Sequence, residues 1–184
     1  MKRLMKFGGW GLTVVLLAVT VGCDQTQTGG SSVSHSPPAP PAIEDRLPKQ
    51  AQPKLPTLKV WVGAEELVTE MALSREQQMT GMMWRTNMPE NTAMLFVHPQ
   101  PQQAGYWMQN CFVPLSIAYL DTDGIILEIH DLQPHYTNSV VSAAMNVRFA
   151  LETPQGWFQR HNVSTSAVVR TERGSLPETF FRRQ

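Results

Sequence analysis

The sequence predicts a mainly β domain, a compact antiparallel sandwich or barrel with two short helices. Apolar and polar residues alternate in several short segments, which is the pattern of strands that bury one face. Two of these segments flank residues 121–124, which end in glycine as the turn of a β-hairpin often does. The sequence shows no rhythm of strand, long helix and strand, so a doubly wound parallel sheet is not expected.

Four strands are predicted in the first part of the domain, which begins near Thr57. Apolar side chains alternate over residues 58–62, and a second strand covers residues 66–72. Residues 93–97 form an apolar run, and residues 105–109 form another. Runs this short are typical of strands rather than of helices.

The first helix is predicted to begin after Ser74. This residue matches a helix N-cap, and Gln77 three residues later completes a capping box. The helix would continue to about Trp84, and its periodicity would place three methionines on one face, namely Met79, Met82 and Met83. Methionines at this spacing most often fill a core.

A β-hairpin is the clearest local prediction. Its arms cover residues 116–120 and 125–131, and Gly124 between them can adopt the positive φ angle that such turns require. Further along the chain, apolar and polar side chains alternate over residues 145–152, which predicts another strand.

The last predicted elements are a helix and a strand. Thr153 and Pro154 match the N-cap and first position of a second short helix. Residues 167–170 are predicted to be a final strand. We expect residues 173–184 to be a frayed tail, so that the single folded domain spans residues 57–172.

Residues 1–22 have the features of a lipoprotein signal peptide. Three basic side chains precede an uncharged run that is shorter than the roughly 18 apolar residues of a membrane span. The run ends in Thr-Val-Gly-Cys, which resembles a lipobox and predicts cleavage before an acylated Cys23. The acyl chains would anchor the protein to a membrane. We therefore expect a lipid-anchored protein of the bacterial cell envelope that faces the periplasm or the exterior.

Residues 23–56 combine the lipidated cysteine with a tether rich in proline and serine. Half of the 14 prolines of the chain lie in this segment, and it has few large apolar residues. Such a composition cannot bury enough apolar surface to offset the entropy of ordering. Because proline favours an extended spacer, we expect the segment to be disordered and to hold the domain away from the membrane.

Charge and cysteine content exclude two classes of protein. Removal of the signal peptide leaves 12 of the 15 basic residues against 15 acidic ones, a net charge of −3. Nucleic-acid binders concentrate basic side chains on one face, so no nucleic-acid partner is expected. With Cys23 acylated, Cys111 is the one remaining cysteine, so the domain cannot be a disulfide-stabilised scaffold.

Four sequence blocks occur in a specific order. They are Gly-Met-Met-Trp-Arg at residues 81–85, Met-Leu-Phe at 94–96, Trp-Met-Gln-Asn at 107–110 and Phe-Ala-Leu-Glu at 149–152. In this order the blocks resemble the Domain of Unknown Function 192 family, over a stretch from about Leu58 to Arg170. The resemblance implies a small secreted or lipid-anchored prokaryotic protein with a compact β fold, and it implies no defined activity. The chain differs from the family pattern at Gln109, Cys111 and Ser116, where the family commonly has Lys, Thr and Asp.

Four residues of these blocks are candidates for a ligand-binding site, namely Arg85, Trp107, Asn110 and Glu152. They would present a guanidinium, an aromatic surface, an amide and a carboxylate to a small molecule, a glycan or an envelope protein. Each residue also has a structural alternative. Arg85 can pair with Glu152 or bind the last carbonyls of the helix, Trp107 can lie in the core, and Asn110 can bond the backbone of a turn. The expected function is a non-enzymatic binding or accessory module.

An envelope hydrolase is the first alternative function. It would require a base within hydrogen-bond reach of Cys111 or Ser116, or two carboxylates that converge. His98, His130 and His135 are candidate bases, but none has a recognisable catalytic spacing. No catalytic residue is therefore assigned.

A periplasmic copper-handling protein is the second alternative. Thioethers, an imidazole and a thiol suit the soft ion Cu(I). This role would require at least three of six side chains to converge on one point, namely Met82, Met83, Met94, His98, Met108 and Cys111. The histidines and the remaining cysteine do not have the spacing of a zinc site. No metal ligand and no cofactor is assigned from the sequence.

Overall fold

The computed structural model describes residues 46–182, which contain ten strands and three helices. The strands are β1 (Thr57–Val62), β2 (Glu65–Ala72), β3 (Thr92–Gln102), β4 (Gly105–Tyr106), β5 (Leu115–Leu120), β6 (Ile126–Leu132), β7 (Val140–Val141), β8 (Val147–Pro154), β9 (Val169–Thr171) and β10 (Gly174–Ser175). The helices are α1 (Arg75–Thr80), α2 (Trp157–Arg160) and α3 (Leu176–Phe181). The predicted signal peptide, Cys23 and most of the predicted tether lie outside the described residues.

The mainly β prediction is confirmed, and the main sheet is mixed rather than wholly antiparallel. Within residues 46–182, eight strands form one sheet in the order β10-β9-β1-β2-β3-β8-β5-β6, and β4 pairs with β7 in a second. Strands β2 and β3 run parallel, because α1 and the turn after it form a crossover between them. The main sheet is not closed into a barrel. An isolated bridge between Ile125 and Val168 nevertheless connects the region before β6 to the region before β9.

The predicted hairpin is confirmed as β5 and β6. The Asp121 carboxylate accepts hydrogen bonds from two backbone N–H groups of the turn, at 2.9 Å each. Gly124 has a φ angle of 83°, and a Cβ atom at this position would lie 2.8 Å from the Val169 carbonyl oxygen. The turn therefore requires glycine both for its backbone conformation and for its close approach to β9.

The first helix is shorter than predicted. Its capping box forms as expected, but the helix ends at Thr80, and Gly81 after it has a φ angle of 45°. The glycine lets the chain leave the helical path one turn early. As a result, Met82 and Met83 are buried (4% and 2% exposed), whereas Met79 is 42% exposed. The prediction that these three methionines share one helix face is wrong.

The C-terminal elements also differ from the prediction. Thr153 and Pro154 lie at the end of β8 rather than at the start of a helix, and α2 begins after Gly156, which has a φ angle of 75°. Within the segment predicted to be frayed, β10 and α3 are folded. Ser175 caps α3 through a capping box, and Leu176 is fully buried. Burial of this leucine in the core explains why the segment is ordered.

Residues 46–56, which the sequence assigns to the tether, pack against the domain. Leu47 and Leu55 are buried in the core. The side-chain amide of Gln52 donates to two backbone carbonyls at the end of α1, at 3.2 and 2.9 Å. The packed part of the chain therefore begins at or before residue 46 rather than at residue 57.

Two hydrophobic clusters lie on the two sides of the main sheet. The aliphatic cluster contains Leu58, Val60, Val62, Leu67, Met71, Ala93, Leu95, Val97, Ala118, Leu120, Ile126, Phe149, Leu151, Trp157, Phe158, Val169 and Leu176. The methionine-rich cluster contains Leu47, Leu55, Ala72, Met82, Met83, Met88, Met94, Phe96, Ala104, Met108, Cys111, Leu115, Ile117, Tyr119, Leu132, Val147 and Ala150. Alternate residues of β3 and β5 enter different clusters, as the two-residue period of a strand requires.

Strand β8 runs through the centre of the sheet and contributes to both clusters. Phe149 and Leu151 belong to the aliphatic cluster, and Ala150 belongs to the methionine-rich cluster. The alternation along the strand therefore directs Glu152 to the methionine-rich side. The register of β8 therefore places the carboxyl group of Glu152 among apolar side chains.

Candidate functional site

The loop at residues 107–112 lies between β4 and β5 and is held by two other backbone segments. The N–H of Trp84 donates to the Asn110 carbonyl at 2.8 Å, and the N–H of His135 donates to the Cys111 carbonyl at 3.2 Å. Trp84, Asn110 and His135 have positive φ angles of 65°, 57° and 62°. This conformation is costly for a bulky side chain such as tryptophan, and such strain concentrates at functional sites. The loop is therefore the centre of the candidate site.

Glu152 lies on the methionine-rich side of β8 and lines the same small cavity as Trp107 and Cys111. The residue is 4% exposed, and its Oε2 atom has no hydrogen-bond partner among the described residues. Burial raises the pKa of Glu152 to about 8, because desolvation disfavours the charged carboxylate. At neutral pH the carboxyl group is mostly protonated, so it can both donate and accept hydrogen bonds.

This cavity has a volume of about 30 Å³, and four of its lining residues contain sulfur. We call it the sulfur-lined cavity, and its walls include Met79, Met82, Met83, Trp107, Cys111 and Glu152. Roughly 10–15 Å³ is enough to hold one water molecule, so the cavity can accept a water or a single ion but no larger molecule.

Cys111 does not have the environment of a catalytic thiol. Its side chain is buried. Burial raises the pKa of the thiol to about 12, with a further contribution from the charge of Glu152. Nucleophilic cysteines require the opposite shift, because the thiolate is the reactive form. The geometry therefore gives no support to the hydrolase alternative at this residue.

Ser116 has a carboxylate within hydrogen-bond reach, as the hydrolase alternative requires. Its hydroxyl donates to Asp131 at 2.5 Å, and the two residues are direct cross-strand partners in the hairpin. The same hydroxyl accepts a hydrogen bond from the N–H of Gly156 at 2.8 Å. Ser116 is buried and has no open space in front of it among the described cavities. These bonds attach the hairpin to the turn before α2, which is a structural role.

Arg85 pairs with Glu70 rather than with Glu152. Its two terminal nitrogens lie 2.6 and 2.8 Å from the two carboxylate oxygens, and both side chains are mostly buried (17% and 13% exposed). The N–H of Leu55 also donates to this carboxylate at 2.7 Å. Burial alone would raise the pKa of Glu70, but the hydrogen bonds from Arg85 and Leu55 hold it below its ordinary value. The alternative in which Arg85 pairs with Glu152 is therefore wrong.

The structure brings together two of the four residues that the sequence assigns to the site. Trp107 and Glu152 line the sulfur-lined cavity. Arg85 lines a separate pocket of about 270 Å³, which shares Met82 as a wall. Asn110 contributes its backbone carbonyl to the loop and lines neither of these two spaces. Residues 46–182 do not form a single cleft that holds all four side chains.

A second space lies on the other side of Trp107. This aromatic recess has a volume of about 130 Å³ and is lined by Tyr106, Trp107, Met108, Asp131, Leu132, Gln133, Tyr136, Asn138 and Val140. The sequence alone does not assign the polar and aromatic residues of the loop after β6 to a site. The composition of residues 132–144 is compatible with a binding site but is equally typical of an ordinary surface loop.

Two features are absent from residues 46–182. None of the three helices in this part of the chain is long and apolar enough to cross a membrane. Over the same residues, no group of three or more His, Cys, Asp or Glu side chains is placed to hold a metal ion.

Comparison with known proteins identifies a family. The model of the family described as DUF192, Uncharacterized ACR, matches residues 59–171. This region contains most of β1 and all of β2 to β9, and it includes the loop, the sulfur-lined cavity and the aromatic recess. No functionally curated protein matches the sequence at a significant level.

Two solved structures are similar to this chain. A protein from Sinorhizobium meliloti 1021, provisionally described as a transcription regulator, is 26% identical, with a TM-score of 0.62 over 66% of this chain and 98% of that protein. A protein of unknown function from Novosphingobium aromaticivorans DSM 12444 is 25% identical, with a TM-score of 0.61 over 63% of this chain and 86% of that protein.

Proposed function

This chain belongs to the DUF192 family of uncharacterised proteins, and we propose that it is an envelope-anchored lipoprotein whose domain binds a small glycan in the aromatic recess. The observation that carries the proposal is the composition of the recess, in which Trp107 and Tyr136 stand beside Asp131, Gln133 and Asn138. The function is binding rather than catalysis, since the loop provides no activated nucleophile.

The proposed anchor rests on the N-terminal sequence. Lys2, Arg3 and Lys6 precede an uncharged segment that ends at Gly22 and Cys23. Acylation of Cys23 would place the domain at a membrane surface outside the cytoplasm. A glycan is a ligand that such a location supplies in abundance.

The side chains of the recess match the two kinds of surface on a sugar. Tyr136 is 52% exposed, and Trp107 is half-buried, so both rings can pack against the apolar C–H face of a pyranose. Carboxylate and amide groups at Asp131, Gln133 and Asn138 can bond to hydroxyl groups at the ring edge. Concave sites with an apolar floor and a few polar groups are typical of small-molecule binding.

The loops that form the recess are fixed before any ligand binds. The N–H of Met108 donates to the Tyr136 carbonyl at 2.8 Å, and the N–H of His135 donates to the Cys111 carbonyl at 3.2 Å. These bonds connect the loop that carries Trp107 to the loop that carries Tyr136. Because the loops are already ordered, little conformational entropy would be lost on binding, which favours affinity.

Thermal unfolding in the presence of saccharides tests the binding proposal. The full chain would be heated with a panel of neutral and N-acetylated mono- and disaccharides at millimolar concentration. A ligand at about 100 times its Kd stabilises the folded state by about 2.7 kcal/mol, which raises Tm measurably. We expect at least one saccharide to do so.

Two substitutions complete this test. Tyr136→Ala removes an exposed ring and should abolish the saccharide-dependent rise in Tm, while the ligand-free Tm stays close to that of the original chain. Trp61→Ala removes a half-buried tryptophan on β1, away from the recess, and should leave the rise intact. If no saccharide changes Tm, or if Tyr136→Ala responds as the original chain does, the proposed site is wrong.

Mass spectrometry tests the anchor separately. We expect the mature N-terminal peptide to begin at Cys23 and to carry acyl chains. Cys23→Ser should remain uncleaved. An unacylated mature N-terminus would contradict the anchor without affecting the binding proposal.

A role in transcription is not proposed for this chain. The description of the Sinorhizobium meliloti protein applies to that protein. After removal of the signal peptide, acidic side chains outnumber basic ones by 15 to 12. A DNA-binding domain would need a basic surface to contact phosphates.

A further inference from the structure

Sulfur-containing side chains are concentrated on one side of the main sheet. The methionine-rich cluster includes five methionines and Cys111, whereas the aliphatic cluster includes one methionine, Met71, among its described members. Four of the sulfur-containing residues line the same cavity of about 30 Å³, namely Met79, Met82, Met83 and Cys111. A role as core filler does not by itself explain why four sulfur-containing residues line one small cavity.

We propose that the sulfur-lined cavity binds one Cu(I) ion, with the thioethers of Met82 and Met83 and the thiolate of Cys111 as ligands. The site is separate from the aromatic recess and does not depend on glycan binding. Three of the six side chains named from the sequence for a copper-handling role, these same three residues, meet at this cavity.

The kind of donor selects the kind of ion. Thioether and thiolate sulfur are soft ligands that favour Cu(I), whereas Ca²⁺, Mg²⁺ and Mn²⁺ prefer oxygen. Two thioethers carry no charge, so they cannot balance a divalent cation in a buried site. The volume of the cavity also suits a single ion without its hydration shell.

The charges of the proposed site balance. When Cu(I) binds, the Cys111 thiol releases one proton and a Cu–S bond replaces the S–H bond, so that one positive and one negative charge cancel. Metal ions displace the protons of such ligands as they bind.

Glu152 provides a second observation that this cavity is built for an occupant. Glu152 lines the cavity, and its Oε2 atom is buried and lacks a partner among the described residues. An unsatisfied buried carboxyl costs free energy unless something completes it. A bound ion, or a water molecule that fills the remaining space beside the ion, would complete it.

The ion has a short path from solvent. Met79 lines the cavity and is 42% exposed, and Gln78 beside it also lines the cavity and is half-buried. An exposed thioether that lines a cavity can pass a soft ion inward by ligand exchange.

Anaerobic competition with the chelator bathocuproine disulfonate tests the proposal. The full chain would carry Cys23→Ala, so that any thiolate contribution belongs to Cys111. We expect the protein to remove one equivalent of Cu(I) from the chelator, and the X-ray absorption spectrum of the complex to show sulfur as the principal ligand.

Three variants make the test specific. Cys111→Ser should weaken Cu(I) binding by at least ~10-fold, as loss of a residue that supports a metal site typically does. The double variant Met82→Leu, Met83→Leu conserves side-chain volume, so it should stay folded and show a similar loss. Met71→Leu, a buried methionine outside the cavity, is the matched control and should bind as the original chain does. Circular dichroism verifies that each variant is folded.

Two results would overturn the proposal. One is the absence of Cu(I) uptake in competition with the chelator. The other is equal uptake by the original chain and by the double variant, which would place copper elsewhere. Tyr136→Ala separates this proposal from the proposed function, because it should lose the saccharide response and retain Cu(I) binding.

Discussion

The two clusters on opposite sides of the main sheet differ in composition and in the elements that form them. The aliphatic cluster is built mostly from branched side chains of β1, β2, β3, β5 and β8, together with α2 and α3. The methionine-rich cluster takes many of its residues from segments between strands and from the packed residues 46–56. It also contains a thiol and adjoins a carboxylic acid, Glu152. The comparison teaches that strand residues build most of one side of the sheet, whereas segments between strands build much of the other side, where both proposed binding sites lie.

The physical basis of this difference is side-chain shape. Branched residues in strands have few rotamers and pack closely, so a change of volume there is costly. Methionine is unbranched and polarizable, and it adapts to irregular spaces. A cluster formed by loops therefore accommodates small cavities that a strand-based cluster would exclude. The following predictions test this contrast in order of expected size.

The largest effect is expected for Leu151→Ala in the aliphatic cluster. Leu151 is fully buried in the central strand β8, so the substitution leaves a cavity and should reduce the free energy of unfolding by about 3–4 kcal/mol. Met83→Leu on the other side should reduce it by less than about 1.5 kcal/mol. Urea denaturation measures both values. A loss of about 3–4 kcal/mol for Met83→Leu would show that this side of the sheet does not tolerate even a substitution that conserves volume.

Arg85→Ala is expected to have the second largest effect. The substitution leaves Glu70 mostly buried without its principal partner, at a cost of about 2 kcal/mol near neutral pH. Because the pair lowers the pKa of Glu70, its contribution is present above the ordinary value of 4.5 and is lost as the pH falls through the lowered pKa. The difference between the variant and the original chain should therefore shrink in acid.

The matched control for this pair is Lys59→Ala. Lys59 also forms an ion pair, with Glu66 at 2.9 Å, but both side chains are largely exposed. Exposed pairs contribute little, so urea denaturation should detect almost no change. A loss as large as that of Arg85→Ala would mean that burial of the first pair is not the cause of its effect.

Glu152→Gln should change how stability depends on pH. The pKa of Glu152 is raised from 4.5 to about 8, so between these values the folded chain retains a proton that the unfolded chain has lost. The stability of the original chain should therefore decrease as the pH rises through this window, by about 1.4 kcal/mol per pH unit from this group. The Gln variant cannot ionise and should lack this contribution.

Urea denaturation at several values between about pH 5 and 8 measures this slope, over the range where the carboxylate titrates. The variant should gain stability relative to the original chain as the pH rises. Glu66→Gln, at an exposed position, is the control and should follow the original chain. Parallel curves for Glu152→Gln and the original chain would show that the carboxyl group is not buried in an apolar environment.

The smallest effect is expected for Gln52→Ala in the packed segment. The substitution removes two hydrogen bonds to backbone carbonyls at the end of α1 and should cost about 1 kcal/mol. Gln50→Ala, at an exposed position nearby, should have no effect. If Gln52→Ala also has none, the two hydrogen bonds of Gln52 do not stabilise the fold.

The strands were largely predictable from the sequence because their signal is local. Alternation over Leu58, Val60 and Val62 and the glycine of the hairpin turn each report a conformation that neighbouring residues determine. The early end of α1 was harder to predict from the sequence, because a glycine such as Gly81 is tolerated within a helix. Only the buried positions of Met82 and Met83 require the chain to turn there. Tertiary packing therefore determines where α1 ends, because the helix propensity of the local sequence does not.

The candidate site was predictable only in part. The sequence identified Trp107, Cys111 and Glu152 as notable, but it could not indicate that they share one cavity, because they are far apart along the chain. It named Glu152 as a possible partner of Arg85 and did not name Glu70, since Glu70 carried no distinguishing signal within an alternating strand. Residues 46–56 were assigned to the tether because their proline content is typical of disorder, while their packing depends on two leucines and one glutamine.

The pairing of β1 with β9 means that the main sheet cannot be completed until residues near the end of the chain are in place. Trp61 lies opposite Arg170, so the outer side of the first strand is filled only by residues near the end of the chain. Contacts this distant form slowly, because a long loop must close before they stabilise anything. A chain without residues 169–175 would therefore leave this edge of β1 unpaired, with its backbone N–H and C=O groups open to other strands.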